Sequence, residues 1–354
     1  MCSLPVFEVK PPVYPIFNAA ALRQGGVCAQ QVYKLAPGRA GGCLGARVRT
    51  DAPAMRMTLN KLMEMIADGR GTGVGDSYRP WEEITRRRSS PYSNLNLIPV
   101  PHLTRLCHFL SRGEREFGLL LWWLGAEDVR EQYPLWPWVH PQPLDQIGHC
   151  TIGSHPGMAE VASDADIALG KYPGLRIPVV LSIDFLATIP ASTGPNRLVG
   201  FSCKPLDLYS RAGPGDRLRE RLELDRRYCV AANIPHHLVH PEQLPRTLVV
   251  QLHWLAPIEP WLQLKQLITS DEYQLYLKHL QPTVYEVPAC DASRHAASKV
   301  GWTAEENQRA LRIALWYQHL DVDLLQPIHM TRPLRQGGVA LREQLQRQWF
   351  GRRA

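Results

Sequence analysis

Residues 178–188, Pro-Val-Val-Leu-Ser-Ile-Asp-Phe-Leu-Ala-Thr, and residues 197–204, Arg-Leu-Val-Gly-Phe-Ser-Cys-Lys, enclose the turn-rich spacer Ala191-Ser-Thr-Gly-Pro-Asn196. Both runs carry β-branched and aromatic residues, so the segment reads as two antiparallel strands joined by a hairpin. Centring that hairpin near Thr193 places Ser202 opposite Asp184, and period-two alternation turns Lys204 to the face of Ser202. A lone carboxylate and a lone ammonium therefore converge within an otherwise hydrophobic hairpin.

A charge on the interior side of a sheet costs several kcal/mol unless it is paired or binds a metal. Two readings follow from the spacing alone. One is a structural Asp184/Lys204 ion pair, a cross-strand contact worth ~0.2–1 kcal/mol. The other is a metal-dependent hydrolase, with Asp184 holding a divalent cation and Lys204 positioning the attacking water. The second reading requires another acid.

The segment from Ser111 to Gly125 reads as a helix whose apolar stripe is Phe117, Leu120, Leu121 and Leu124. Glu114 lies one turn before Phe117 and continues the buried face. On its own, Ser111-x-x-Glu114 is a capping box in which Glu114 bonds the backbone at residue 111. Its place in the chain adds weight to the other role: an inward acid on a helix, an acid on a strand and a lysine on the next strand is the order used by nucleases of the restriction-endonuclease type.

Several further motifs occur in one order: Gly69-Arg-Gly-Thr-Gly-Val-Gly-Asp-Ser-Tyr-Arg-Pro-Trp81, Asp128-Val-Arg-Glu-Gln-Tyr-Pro-Leu135, His155-Pro156, Asp184-Phe185-Leu186, Lys204-Pro205 and Leu218-Arg-Glu-Arg-Leu-Glu-Leu-Asp-Arg-Arg-Tyr228. Together they resemble the TnsA endonuclease subunits of Tn-seven-type heteromeric cut-and-paste transposons, strongly over residues 58–245 and more faintly to the C-terminus. The resemblance implies an α/β, restriction-endonuclease-like mixed sheet flanked by helices, followed by a small C-terminal helical, winged-helix-like domain. Glu114, Asp184 and Lys204 fall on the family's catalytic acid, acid and lysine, in the PD-(D/E)xK pattern. That pattern implies Mg²⁺ (or Mn²⁺), held by Glu114, Asp184, the Cys203 backbone carbonyl and waters. Position 202 departs from it, because the usual carboxylate or amide is Ser202 here. Ser202 and Asp225 would stand behind the ligands, although for Asp225 a surface charge is the simpler reading.

The implied activity is hydrolysis of the 5′ strand at transposon ends. The implied partners are DNA, a TnsB-like transposase, a TnsC-like AAA+ ATPase and a TniQ/TnsD-like target selector. Two alternatives remain open: a catalytically weak or inert DNA-binding assembly subunit of the same complex, and a stand-alone restriction-type nuclease.

Other constellations carry less. The four glycines at 69, 71, 73 and 75 follow no apolar strand and lack the Walker lysine, so the loop either lets Arg70 and backbone amides approach a DNA phosphate or simply turns. Arg86, Arg87 and Arg88 form the densest basic run, a solvated face or a stripe along the DNA backbone. His236-His237-x-x-His240 lies on an expected strand that points His237 and His240 apart, and His149, Cys150 and His155 read as loop residues without paired zinc spacing. No Gly-x-Ser-x-Gly supports a serine hydrolase.

A chain of 354 residues suggests two domains, and 40 basic against 33 acidic side chains suit an anionic partner. The eight cysteines show no CxxC, which favours a reducing, cytoplasmic setting, and no run of about eighteen apolar residues points to a membrane. Residues 1–57, rich in Pro, Gly and Arg, read as a partly disordered N-terminal extension. Residues 58–245 form the endonuclease-like domain, starting with a helix at Leu59–Ala67 and including a loop insertion at 152–174. Residues 246–354 form the helical, partner-binding domain, with helices opened by Ser270 and by the Thr303-Ala-Glu-Glu306 capping box and a helix–turn element near residues 320–330.

Overall fold

The expected hairpin is the centre of the molecule. A computed structural model describes residues 57–84, 96–149, 153–191 and 193–351, so residues 1–56, the Arg86, Arg87 and Arg88 run and Cys150 lie outside the described residues. Strand β6 (Leu181–Ile189) pairs antiparallel with β7 (Arg197–Cys203), running from Phe185 opposite Phe201 to Ile189 opposite Arg197. This register is the one obtained by centring the turn on Thr193.

Strand β3 (Asp128–Leu135) pairs antiparallel with the other edge of β6, and β8 (His236–Val239) pairs parallel with β7, giving the sheet order β3-β6-β7-β8. The parallel pair needs a crossover, which helix α5 (Arg217–Ala231) supplies. Helix α2 (Arg112–Trp123) covers one face, where Phe117, Leu120 and Leu121 pack with Phe185, Ala187 and Phe201. Gly118 permits this approach, since a Cβ there would stand 2.9 Å from the Phe109 ring. Phe109 belongs to β2 (Leu106–Phe109), which pairs with β1 (Asn96–Pro99). On the opposite face, α5 contributes Leu224, Tyr228 and Cys229 against Ile183, Leu186 and Leu198.

Strand β3 is buried along its whole length although it closes one edge of the sheet. The segment that follows helix α1 (Leu59–Ala67) covers that edge: Tyr78 donates its hydroxyl to the Glu131 carbonyl, and the Trp81 amide donates to the Gln132 carbonyl. The glycine loop is part of this seal. Gly71 has a φ of 76° and a Cβ there would come within 2.2 Å of Pro134, while the Gly75 amide donates to Asp128.

Two expectations are corrected. Residues 152–174 are not a plain loop insertion: β5 (Ser154–His155) pairs with β4 (His140–Pro141), and Met158–Asp164 is a helix, α3. Small residues let α3 lie close to the sheet while Met158, Val161 and Ala162 enter the α5-side core. The region near residues 320–330 forms turns, and no helix resumes until Gly338. Its apolar residues Leu320, Val322 and Leu324 are buried one by one in the core rather than along a helical stripe.

Beyond α4 (Leu206–Arg211) and β8, residues 246–351 fold into six helices, α6 (Arg246–Leu255), α7 (Trp261–Ile268), α8 (Asp271–Leu280), α9 (Ala289–Val300), α10 (Ala304–Trp316) and α11 (Gly338–Phe350), with no strand among the described residues. Ser270 and the Thr303/Glu306 capping box start α8 and α10 as the sequence requires. One apolar cluster joins these helices to the α2 face of the sheet, from Val100 to Phe350. Among the described residues no helix is long and apolar enough to cross a membrane.

Candidate active site

Asp184 sits where the β3/β6 ladder skips a rung. Glu131 pairs with Phe185 and Tyr133 with Ile183, but the intervening Gln132 and Asp184 are unpaired. Gln132 has a φ of 49°, a left-handed conformation that costs about 1–3 kcal/mol in a non-glycine residue. The kink reverses the alternation of side chains along β6: Phe185 and Ala187 face α2, whereas Ile183 faces α5.

The Asp184 carboxylate is 8% exposed, and its Oδ2 accepts from the Cys203 amide at 2.6 Å and from Lys204 Nζ at 2.8 Å. Lys204 Nζ also donates to the Cys203 carbonyl at 2.9 Å. Burial pulls the Lys204 pKa down, but the charge and hydrogen bond of Asp184, joined by the charges of Asp225 and Glu114, together offset it and the pKa ends above its usual value.

Glu114 enters from the first turn of α2. Ser111 caps the helix by accepting from the Glu114 amide, but the returning half of the box differs: Glu114 accepts from the Leu110 amide at 2.9 Å and from the Ser111 hydroxyl at 3.0 Å, not from the Ser111 amide. Gln132 Nε2 gives a third donor at 3.1 Å. Burial, followed by the negative charge of Asp184, pushes the Glu114 pKa up to about 7.

Glu114, Asp184 and Lys204 are thus brought into one electrostatic unit. A buried Glu114 carboxyl facing the like charge of Asp184 is the charge arrangement that a cation relieves, and Lys204 is hydrogen-bonded to Asp184 alone of the two. Carboxylate and carbonyl oxygens are hard donors suited to Mg²⁺ or Mn²⁺. Among the described residues no group of three or more His, Cys, Asp and Glu side chains is arranged to hold a metal ion. A cation here would draw on Glu114, Asp184, the Cys203 carbonyl and water.

Ser202 turns to the other face. Its hydroxyl donates to Asp225 Oδ2 at 3.0 Å and lies 3.0 Å from His236 Nε2. Asp225 is not a surface charge: it is 2% exposed and accepts from Arg221 Nε at 2.8 Å. The signal was available in the sequence, since Asp225, Tyr228 and Cys229 share the inward stripe of α5.

Arg70 is engaged within the fold: its guanidinium lies 2.7 Å from Glu83 and donates to the Trp81 carbonyl, and only 14% of its side chain is exposed. His237 stacks on Phe201, and His240 Nδ1 lies 2.7 Å from the Lys204 carbonyl. His155 is a strand residue rather than a loop residue, buried between Tyr228 and His140 because the β4/β5 ladder carries it inward.

The residue that the sequence reading missed is Gln132. Its place inside the Asp128–Leu135 motif was the available signal, and its inversion of the strand could not be inferred from spacing.

The architecture, a mixed sheet flanked by helices with one acid from a helix, one from a strand and a lysine just past the end of the next strand, is compatible with the restriction-endonuclease-like class. The chain is similar to the "Transposon Tn7 transposition protein TnsA" of Escherichia coli, 28% identical over 202 residues that make up 56% of this chain and 63% of that protein. The match supports the TnsA-like endonuclease family, and it spans less than two thirds of that relative's length. No family model matches the chain.

Proposed function

We propose that the protein is a metal-dependent DNA endonuclease subunit of a transposition complex, hydrolysing the 5′ strand at transposon ends beside a TnsB-like transposase and a TnsC-like AAA+ ATPase, with a TniQ/TnsD-like protein selecting the target. The observation that carries this reading is the convergence of Glu114, Asp184 and Lys204 at the two central strands of the sheet. The similarity to TnsA supports it.

Glu114 and Asp184, with the Cys203 carbonyl, would hold Mg²⁺ or Mn²⁺, which when bound supplies Lewis-acid stabilisation of the phosphate and acidifies water. Asp184 keeps Lys204 charged and fixed, so its ammonium can orient a water or screen charge developing on the phosphate. Ser111 and the Leu110 amide keep Glu114 aimed inward. Base specificity is left to the partners, since nothing in this triad reads a base edge. Asp184→Ala, assayed for nicking of end-containing DNA with the transposase, is expected to abolish cleavage and to leave the fold and partner binding intact; nicking at the normal rate defeats the assignment.

A second reading, an inert assembly subunit, is favoured by one observation: Ser202 is turned to Asp225 and offers nothing to the acid pair. Calorimetry with Mn²⁺ separates the two, because an inert subunit gives no binding heat alongside normal partner binding.

A further inference from the structure

Resting on the reading above, we infer that Gln132 is a positioning residue for the acid pair: its inverted backbone opens the ladder at Asp184, and its carboxamide clamps Glu114. The geometry fixes both parts. An ordinary strand residue at 132 would pair with 184 and extend the alternation unbroken. Instead the ladder lacks that single rung, the residues on either side of Asp184 face opposite cores, and the kink is held by the Trp81 amide donating to the Gln132 carbonyl at 3.1 Å.

The carboxamide itself is 2% exposed and satisfied at both ends. Nε2 donates to Glu114 Oε2 at 3.1 Å, and Oε1 accepts from the Ser182 hydroxyl at 3.0 Å. Whenever Glu114 is ionised it can only accept, and the amide then presents Nε2 to it. Ser182 then locks the amide from behind, and its carbonyl accepts from Arg221, tying the clamp to α5. The neutral amide restrains Glu114 without becoming a further anion in the site.

The test compares Gln132→Gly with Gln132→Ala in the full chain. Glycine tolerates the left-handed backbone and removes only the clamp, whereas alanine keeps the strain and removes the clamp as well. The expected result for Gln132→Gly is Mn²⁺ affinity weakened roughly 10–100-fold, a matching rise in the Mg²⁺ concentration needed for nicking, and a Glu114 side chain displaced from its wild-type position in the variant's crystal structure, with little change in melting temperature. Gln132→Ala should show the same changes and in addition melt lower.

An unchanged Mn²⁺ affinity together with an unmoved Glu114 side chain in Gln132→Gly overturns the inference. A wild-type chain that neither binds Mn²⁺ nor nicks DNA defeats the proposed function instead, and the position of the Glu114 side chain in Gln132→Gly then still decides for or against Gln132.

Discussion

The two faces of the sheet each bury an acid from a flanking helix, and they treat it in opposite ways. On the α5 face, Asp225 has a guanidinium at 2.8 Å and a hydroxyl at 3.0 Å, so its charge is compensated within the fold. On the α2 face, Glu114 has three hydrogen-bond donors, yet the like charge of Asp184 acts on it more strongly than the Lys204 cation, and its pKa is pushed up to about 7 by burial and by Asp184. A compensated acid secures structure. An uncompensated one stores a demand for a cation or a proton, which is what a hydrolytic site can use.

This contrast can be broken at several points. The largest effect should come from Asp184→Asn, which keeps an acceptor for the Cys203 amide but removes the charge; nicking with the transposase should fall by roughly 10²–10³ while circular dichroism shows an intact fold. Next, Asp225→Ala leaves Arg221 and Ser202 without their shared partner and should cost about 3 kcal/mol of stability in a denaturant titration. A loss well under 1 kcal/mol would place Asp225 with Glu114 rather than opposite it.

Glu114→Gln should do the reverse of Asp225→Ala. The Glu114 pKa is raised from 4.5 to about 7, so between those values the folded chain holds a proton that the unfolded chain has released. Folding stability from this group therefore falls as pH climbs through that window and stays low above it. The neutral variant should be more stable than wild type at pH 8, by on the order of 2 kcal/mol, and should match it at pH 4, as read by melting curves. By the same protonation, wild-type cleavage at limiting Mg²⁺ should decline below neutral pH. The smallest effect is expected for Arg70→Ala, which breaks the half-buried pair with Glu83: about 1 kcal/mol of stability and an unchanged salt dependence of DNA binding, since that guanidinium is already engaged.

Much of this was legible in the sequence because it depends on local rules. The hairpin register followed from the turn and α2 from its stripe and its Ser111 cap; Lys204 does meet Asp184, but Ser202, which alternation puts on the same face as Lys204, turns to Asp225 instead. What escaped was decided by long-range contacts. The burial of Asp225 could be read from the α5 stripe, with Arg221 one turn away, but its bond to Ser202 depended on where β7 comes to lie, and the α3 helix depended on α5 being there to receive Met158 and Val161. Gln132 escaped for another reason. Period-two logic assumes an unbroken strand, and the feature that shapes this site is a local inversion that the rule forbids.

The last helix closes over what the hairpin begins. Trp349 of α11 lies edge-on to Phe117 at 5.1 Å and also packs on Phe201 and His237, while Gln346 donates to the Leu124 carbonyl at the end of α2. Phe117 is one helical turn from Glu114, and Phe201 is three residues from Lys204. The far end of the chain is therefore a keystone for both arms of the site, and an affinity tag, truncation or docking event that lifts α11 would be felt as a loosening of the grip between acid and lysine some 150 residues earlier in sequence, roughly the span bridged by the Arg197 contact with the Phe350 carbonyl.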